Sequence, residues 1–189
     1  MNDRDILDRL RAGHQDAFDS VFRLYYAPLV GVAESMLRER EAAEDVVQDV
    51  MVELWRRREN IVLETSLRAY LFRAARNRAL NHLRHLRVAP RAEPDAAELI
   101  AVPAADRDTL EEEMETALRQ AVAGLPQRCR EVFELSRVQG LRYAEIAEAL
   151  SISLKTVEAQ MGKAIRVLRV RLAPWLPHAE GMEVRKEDG

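Results

Sequence analysis

The sequence predicts an all-α protein of two small helical domains joined by a flexible acidic linker, and three observations carry that prediction. Apolar residues recur at helical spacing along nearly the whole chain, no stretch alternates with the period of two that a strand needs, and a proline-containing tract splits the periodic pattern in two. Composition agrees: 48% of the 189 residues are hydrophobic, enough for a core, while aromatics are only 5% and glycines only seven. A chain rich in Ala, Leu, Arg and Glu favours helix over sheet.

The elements follow in order. Residues 5–11 form a short amphipathic start that Gly13 stops. A second helix begins with Phe18, Val21, Phe22, Leu24 and Tyr25, is bent or restarted at Pro28, and continues through Val32, Met36 and Leu37. Across 41–57, Val46, Val47, Val50, Met51 and Leu54 fall at i, i+1, i+4, i+5 and i+8, one apolar stripe. Residues 58–66 read as a loop, and 67–86 as a helix with Leu67, Leu71, Ala74, Ala75 and Leu83 inward. The tract after it holds Pro90, Pro94 and Pro103 and few large apolar residues, so it reads as a linker. Helix resumes over 111–122 and again over 128–139, where Pro126 suits the start and Gly140 the end. Two helices follow at 143–150 and 154–172, and the remainder frays. The expected units are therefore 1–87, a linker 88–108, 109–173 and a tail 174–189.

Charge is sorted by segment beneath a net charge of only −3. Between 34 and 53 seven acids face Arg38 and Arg40, whereas 68–91 carries Arg68, Arg73, Arg76, Arg78, Arg84, Arg87 and Arg91 with no acid. The linker is acidic, and the last helix is basic, with Lys155, Lys163, Arg166, Arg169 and Arg171 against Glu158. Any one run reads equally as a solvated face. Two acid-poor helices either side of an acidic linker point to two contacts with one polyanion.

Residues 141–160, LRYAEIAEALSISLKTVEAQ, fit a helix-turn-helix. Ala147 is small where the second helix crosses, and Ile146, Leu150, Ile152 and Val157 form the wedge between the helices. Ser153 can cap the second helix by accepting from its free N–H groups. Val157, Met161, Ala164, Leu168 and Leu172 make the inward stripe, leaving Lys155, Thr156, Ala159, Gln160 and Lys163 outward, near the end that enters a major groove. Ser151 stands where the tight turn favours glycine, because a left-handed backbone is expected there at a cost of about 1 kcal/mol.

With that motif in place, the chain resembles bacterial sigma factors of the sigma-70 family, extracytoplasmic-function group. AEDVVQDVMVELW (43–55) and LRAYLFRAARNRALNHLR (67–84) are similar to region 2, and the segment from LPQRCREVFELSRVQGLRYAEIAEAL through SLKTVEAQMGKAIRVLR to region 4. The resemblance implies promoter recognition: binding of core RNA polymerase, reading of the −10 and −35 elements, and DNA opening. It implies that Asp45, Gln48, Asp49 and Glu53, opposite the valine stripe, meet the polymerase β′ clamp helices, with the β flap a further polymerase contact. It implies that Arg73, Arg76, Asn77, Asn81 and Arg84, on one face, read the −10 element, with arginines on phosphates and asparagines on base edges, beside a loop 60–66 that receives a flipped base. Tyr70 and Phe72 could stack on bases, but their helical spacing favours the core. The −35 reader becomes Lys155, Thr156, Glu158, Ala159, Gln160 and Lys163; Gln160 suits adenine, and Glu158 either accepts from cytosine or repels phosphate. Many relatives carry basic residues at 158, 160 and 163 and a bulky one at Gly162, so the −35 preference differs from theirs. An anti-sigma factor is the further partner the resemblance implies.

Other classes fare worse. No nucleophile–base set, phosphate loop or clustered metal spacing is present, His82 and His85 read as a surface pair, and Cys129 is the single cysteine. An enzyme, a cofactor, a metal and a small-molecule substrate are therefore not expected. No apolar run approaches the roughly 20 residues of a membrane span, and the N-terminus has no signal-like core, so a cytoplasmic protein without membrane insertion is expected. Two alternatives stay open: a helix-turn-helix regulator with an N-terminal helical effector domain, against which the basic 68–91 run argues, and a helical adaptor that binds no DNA.

Overall fold

The structure, a computed structural model, describes residues 3–88 and 110–175; most of the expected linker and tail fall outside these. The described residues are all-α, with no strand. Helices α1 (Asp3–Arg11), α2 (Gln15–Leu37), α3 (Arg40–Arg57) and α4 (Leu67–Val88) make the first half, with a 3-10 turn at Arg58–Asn60. Helices α5 (Leu110–Ala123), α6 (Gln127–Arg137), α7 (Tyr143–Leu150) and α8 (Leu154–Arg171) make the second, with a 3-10 turn at Ala173–Trp175.

Local chemistry sets the boundaries. Gly13 (φ 79°) and Gly140 (φ 66°) supply the left-handed backbone that lets the chain turn after α1 and α6. Pro28 neither breaks nor restarts α2, which runs unbroken through it. The carbonyl it orphans belongs to Leu24, which is exposed, so solvent can take it, while Leu29, Val30 and Ala33 beyond the proline are buried and hold the helix in place. Ser66 caps α4: its Oγ accepts from the Ala69 N–H at 3.0 Å, and Asp3 Oδ2 accepts from the Leu67 N–H at 2.7 Å.

The stripes read from the sequence are the core. Val46, Val47, Val50, Met51 and Leu54 of α3 are buried, as are Leu67, Leu71, Phe72, Ala75 and Ala79 of α4. The sequence predicts two small helical domains and leaves their relative placement open; in the structure their apolar surfaces merge. Val132, Leu135, Ile146, Ala149, Leu150, Val157 and Met161 of the second half belong to the same buried cluster as the α2–α4 core. Among the described residues a smaller group around Ala121, Leu125, Cys129, Ala164 and Leu168 stands apart. The seam is formed chiefly by α4 against α7.

Candidate nucleic-acid interface

Helix α7, its turn and α8 form the helix-turn-helix. Ser151 adopts φ 54° and ψ 48°, the left-handed conformation expected from its position, and the Ile152 N–H donates to the Ala147 carbonyl at 3.0 Å to close the turn. Ser153 Oγ accepts from the Thr156 N–H at 3.1 Å. At the start of α7, Glu145 reaches back to accept from the Arg142 N–H at 2.8 Å. Ile146, Leu150 and Val157 are buried in the wedge, with Ile152 half-buried beside them.

The outer face of α8 differs from the expected one at two positions. Gln160 is not outward: it is half-buried, and its Oε1 accepts from Cys129 Sγ at 3.1 Å. Three residues after Val157 and four before Ala164, it lies on the flank of the inward stripe, so helical geometry turns it toward α6. Lys155, Glu158, Ala159 and Lys163 are exposed as expected, and Thr156 is half-exposed with its hydroxyl against Ser153 Oγ. Arg166, seven residues after Ala159 and so on the same face, is exposed and was missed by sequence reasoning; the i+7 spacing was the available signal. With Gly162 also exposed, the centre of this face is small residues flanked by cations.

On α4, Arg73 and Asn77 line one open hollow of about 330 Å³ with Val62, Glu64, Tyr70 and Ala74, and Arg73 pairs with Glu64 at 3.1 Å. Asn81 and Arg84 are exposed on the same side and hydrogen-bond each other at 2.6 Å. Arg76 leaves this set. Its side chain is only 11% exposed and faces Glu131 of α6 at 3.6 Å, because it lies on the edge of α4 that turns into the seam. Phe72 is fully buried, and Tyr70 is half-buried at the hollow's wall.

On α3, Asp45, Gln48 and Asp49 are exposed opposite the buried valines, and Asp49 accepts from Arg78 at 3.0 Å. Glu53 is half-covered and pairs with Arg57, one turn on.

Among the loop's neighbours, Glu145 is the buried carboxylate. Burial raises its pKa, but hydrogen bonds from Ser66 and the Arg142 N–H, with the Arg142 charge, outweigh that and hold it below the usual glutamate value. Glu134, half-buried beside the seam, is shifted the other way: burial raises it, against Arg130. Among the described residues no cluster of His, Cys, Asp and Glu could hold a metal ion, and no helix is long and apolar enough to cross a membrane.

Known protein families match both halves of the chain. The family model for sigma-70 region 2 matches residues 21–88, and that for sigma-70 region 4 matches 115–168. The RNA polymerase sigma-H factor of Pseudomonas aeruginosa is 25% identical, over 94% of this chain and 97% of its own. The ECF RNA polymerase sigma factor SigM of Mycobacterium tuberculosis strain Erdman is 30% identical, over 93% of this chain and 85% of its own. The solved structure of CnrH, in complex with the cytosolic domain of CnrY, superposes with a TM-score of 0.63 at 25% identity, covering 91% of this chain and 97% of that one.

Proposed function

The chain belongs to the extracytoplasmic-function group of sigma-70 RNA polymerase sigma factors, and we propose that it acts as one: it binds core RNA polymerase, reads the −10 and −35 elements of a promoter, and promotes DNA opening. The observation that carries this is that both matched segments hold a helix with an exposed polar and cationic face, α4 in the first and α8 in the second. It carries out no bond-making chemistry; its work is binding and strand separation. It works in the cytoplasm with the polymerase, and an anti-sigma factor restrains it.

The functional units are 1–87 for polymerase and −10 binding, 88–108 as linker, 109–173 for −35 binding, and 174–189 as tail. Asp45, Gln48, Asp49 and Glu53 meet the β′ clamp helices, whose surface must then be basic, and the second unit meets the β flap. On α4, Arg73 and Arg84 hold phosphates while Asn77 and Asn81 contact bases of the opened strand, the flipped base entering the hollow beside Val62 and Tyr70. On α8, Lys155, Lys163 and Arg166 hold phosphates around a shallow centre at Ala159 and Gly162 that permits close approach to base edges, with Thr156 at the helix start. Glu158 accepts from a base or repels phosphate.

The test uses the reconstituted holoenzyme. Asn77→Ala with Asn81→Ala is expected to spare duplex −35 binding and to slow promoter opening, read as loss of permanganate reactivity over the −10 region. Unchanged reactivity would remove α4 from base reading.

A further inference from the structure

The short loop 62–66 that leads into α4 is held at both ends by one helix. Its outer part is open: Val62 is 80% exposed, and Glu64 and Thr65 are exposed beside it. The residues that bracket it, Ile61 and Leu67, are buried, and each has a backbone group bonded to α1. Arg11 donates to the Ile61 carbonyl at 2.8 Å, and Asp3 accepts from the Leu67 N–H at 2.7 Å. Both bonds are charge-assisted, and the Asp3 carboxylate also meets the positive end of α4. Asp3 and Arg11 are the terminal residues of α1, about 12 Å apart along a helix axis.

The helix that does the holding is itself fixed. Ile6, Leu7 and Leu10 are buried in the core shared with α2, α3 and α4, and Arg9 pairs with Asp16 of α2. Apolar packing of this kind seats a short helix. It does not require that the two ends of that helix grip the two ends of a loop. Helix α1 also lies ahead of the region 2 match, which begins at residue 21.

We infer that α1 is a positioning element for −10 reading, in which Asp3 and Arg11 pin the two ends of loop 62–66 and so fix where Val62 and Glu64 stand on the hollow that receives the base. This rests on the −10 reading of α4 proposed above. Val62 and Glu64 line that hollow together with Tyr70, Arg73 and Asn77 of α4. The two kinds of DNA contact depend on the pins differently. Arg73 and Arg84 stand on α4, so they hold phosphates wherever the loop lies. A base edge is read only by groups held in place, and a displacement of about 1 Å is enough to lose the contact. A loop released at its ends samples several positions, so base preference averages out while affinity for the strand changes little.

The experiment binds reconstituted holoenzyme to forked promoter DNA whose non-template strand is randomised across the −10 element, and sequences the bound and free molecules. The readout is the enrichment ratio of the most over the least favoured base at each position. That ratio does not depend on how much of the chain is active, so lost stability alone does not move it. Asp3→Ala with Arg11→Ala is expected to lower the ratio roughly fivefold at the position whose base enters the hollow. Asp3→Asn with Arg11→Lys, which keeps an acceptor and a donor for the two pins, should restore most of it. Val47→Ala, which truncates a buried side chain of α3 and leaves both pins, should lower stability and leave the ratio unchanged. The inference is overturned if the alanine pair keeps the parent ratio, if the conservative pair is as flat as the alanine pair, or if Val47→Ala flattens the ratio as much. Where the alanine pair is too unstable to load onto polymerase, Arg11→Ala alone takes its place under the same outcomes. A ratio lost with Asn77→Ala but kept by the alanine pair strikes the pins alone. A ratio unmoved by Asn77→Ala strikes the −10 reading, and the inference with it.

Discussion

Glu145 shows how much one side chain can be asked to do. Its carboxylate caps α7 by accepting from the Arg142 N–H, and it accepts from Ser66, whose own oxygen caps α4. The native structure holds its pKa below the ordinary glutamate value, so the ionised form is the stabilising one. That contribution is complete above the ordinary, unfolded value of about 4.3 and is lost as pH falls through the lower native one. Denaturant titrations should therefore show Glu145→Gln less stable than the parent at neutral pH, with the gap shrinking as pH falls below about 4; a gap independent of pH would refute the assignment. Gln160 and Arg166 make the second residue-scale case. With its amide oxygen on Cys129, Gln160 is a packing residue, so Gln160→Ala should cost about 1 kcal/mol of stability and leave −35 base preferences unchanged. Arg166→Ala should weaken holoenzyme binding to all −35 variants alike and lower the salt slope by about one. Competition binding at several salt concentrations separates the two.

At the scale of the element, α3 and the turn of the helix-turn-helix give the clearest expectations. The exposed edge of α3 carries Asp45, Gln48 and Asp49 over a fully buried valine face, so its outer residues can change without disturbing the core. Asp49→Arg replaces the partner of Arg78 with a like charge and opposes a basic clamp surface. Affinity for core polymerase should fall roughly tenfold or more with helicity unchanged, as measured by titration of labelled chain and by circular dichroism. In the turn, Ser151 holds a left-handed backbone that glycine adopts freely. Ser151→Gly should raise stability by about 1 kcal/mol in denaturant unfolding, without altering DNA binding.

At the scale of the whole molecule, the merged core matters most. Phe72 and Leu71 of α4 share a buried cluster with Ile146 and Leu150 of α7. Halves joined in this way should unfold together. With Trp175 replaced by Phe, Trp55 fluorescence, reporting the first half, and far-ultraviolet dichroism, reporting both, should give coincident urea transitions. Glu145→Gln with Glu148→Gln should separate them, and coincidence in that variant would mean that apolar packing alone couples the halves.

Much of this was legible in the sequence because helices are local. The apolar stripe of α3, the cap at Ser153, the strained turn at Ser151 and the wedge of Ile146, Leu150 and Val157 depend on residues a few positions apart, and spacing alone reveals them. The two-segment resemblance was legible for the same reason, being carried by motif blocks on single helices. What spacing could not reveal is where an edge residue turns once a second helix packs against it. Arg76 and Gln160 both lie on the flank of an inward stripe, and only the packing of α6 decided that they face protein. Pro28 likewise read as a bend or a restart, because the burial that carries α2 unbroken through it comes from distant chain. The covering of Thr65 and Ser66 by α7 joins residues 83 and 79 positions apart in the chain. Local sequence determined the helices and most of their outward faces. Tertiary contact alone decided which of those faces the free molecule leaves open, because long-range packing is set by how two surfaces fit and not by the period of either.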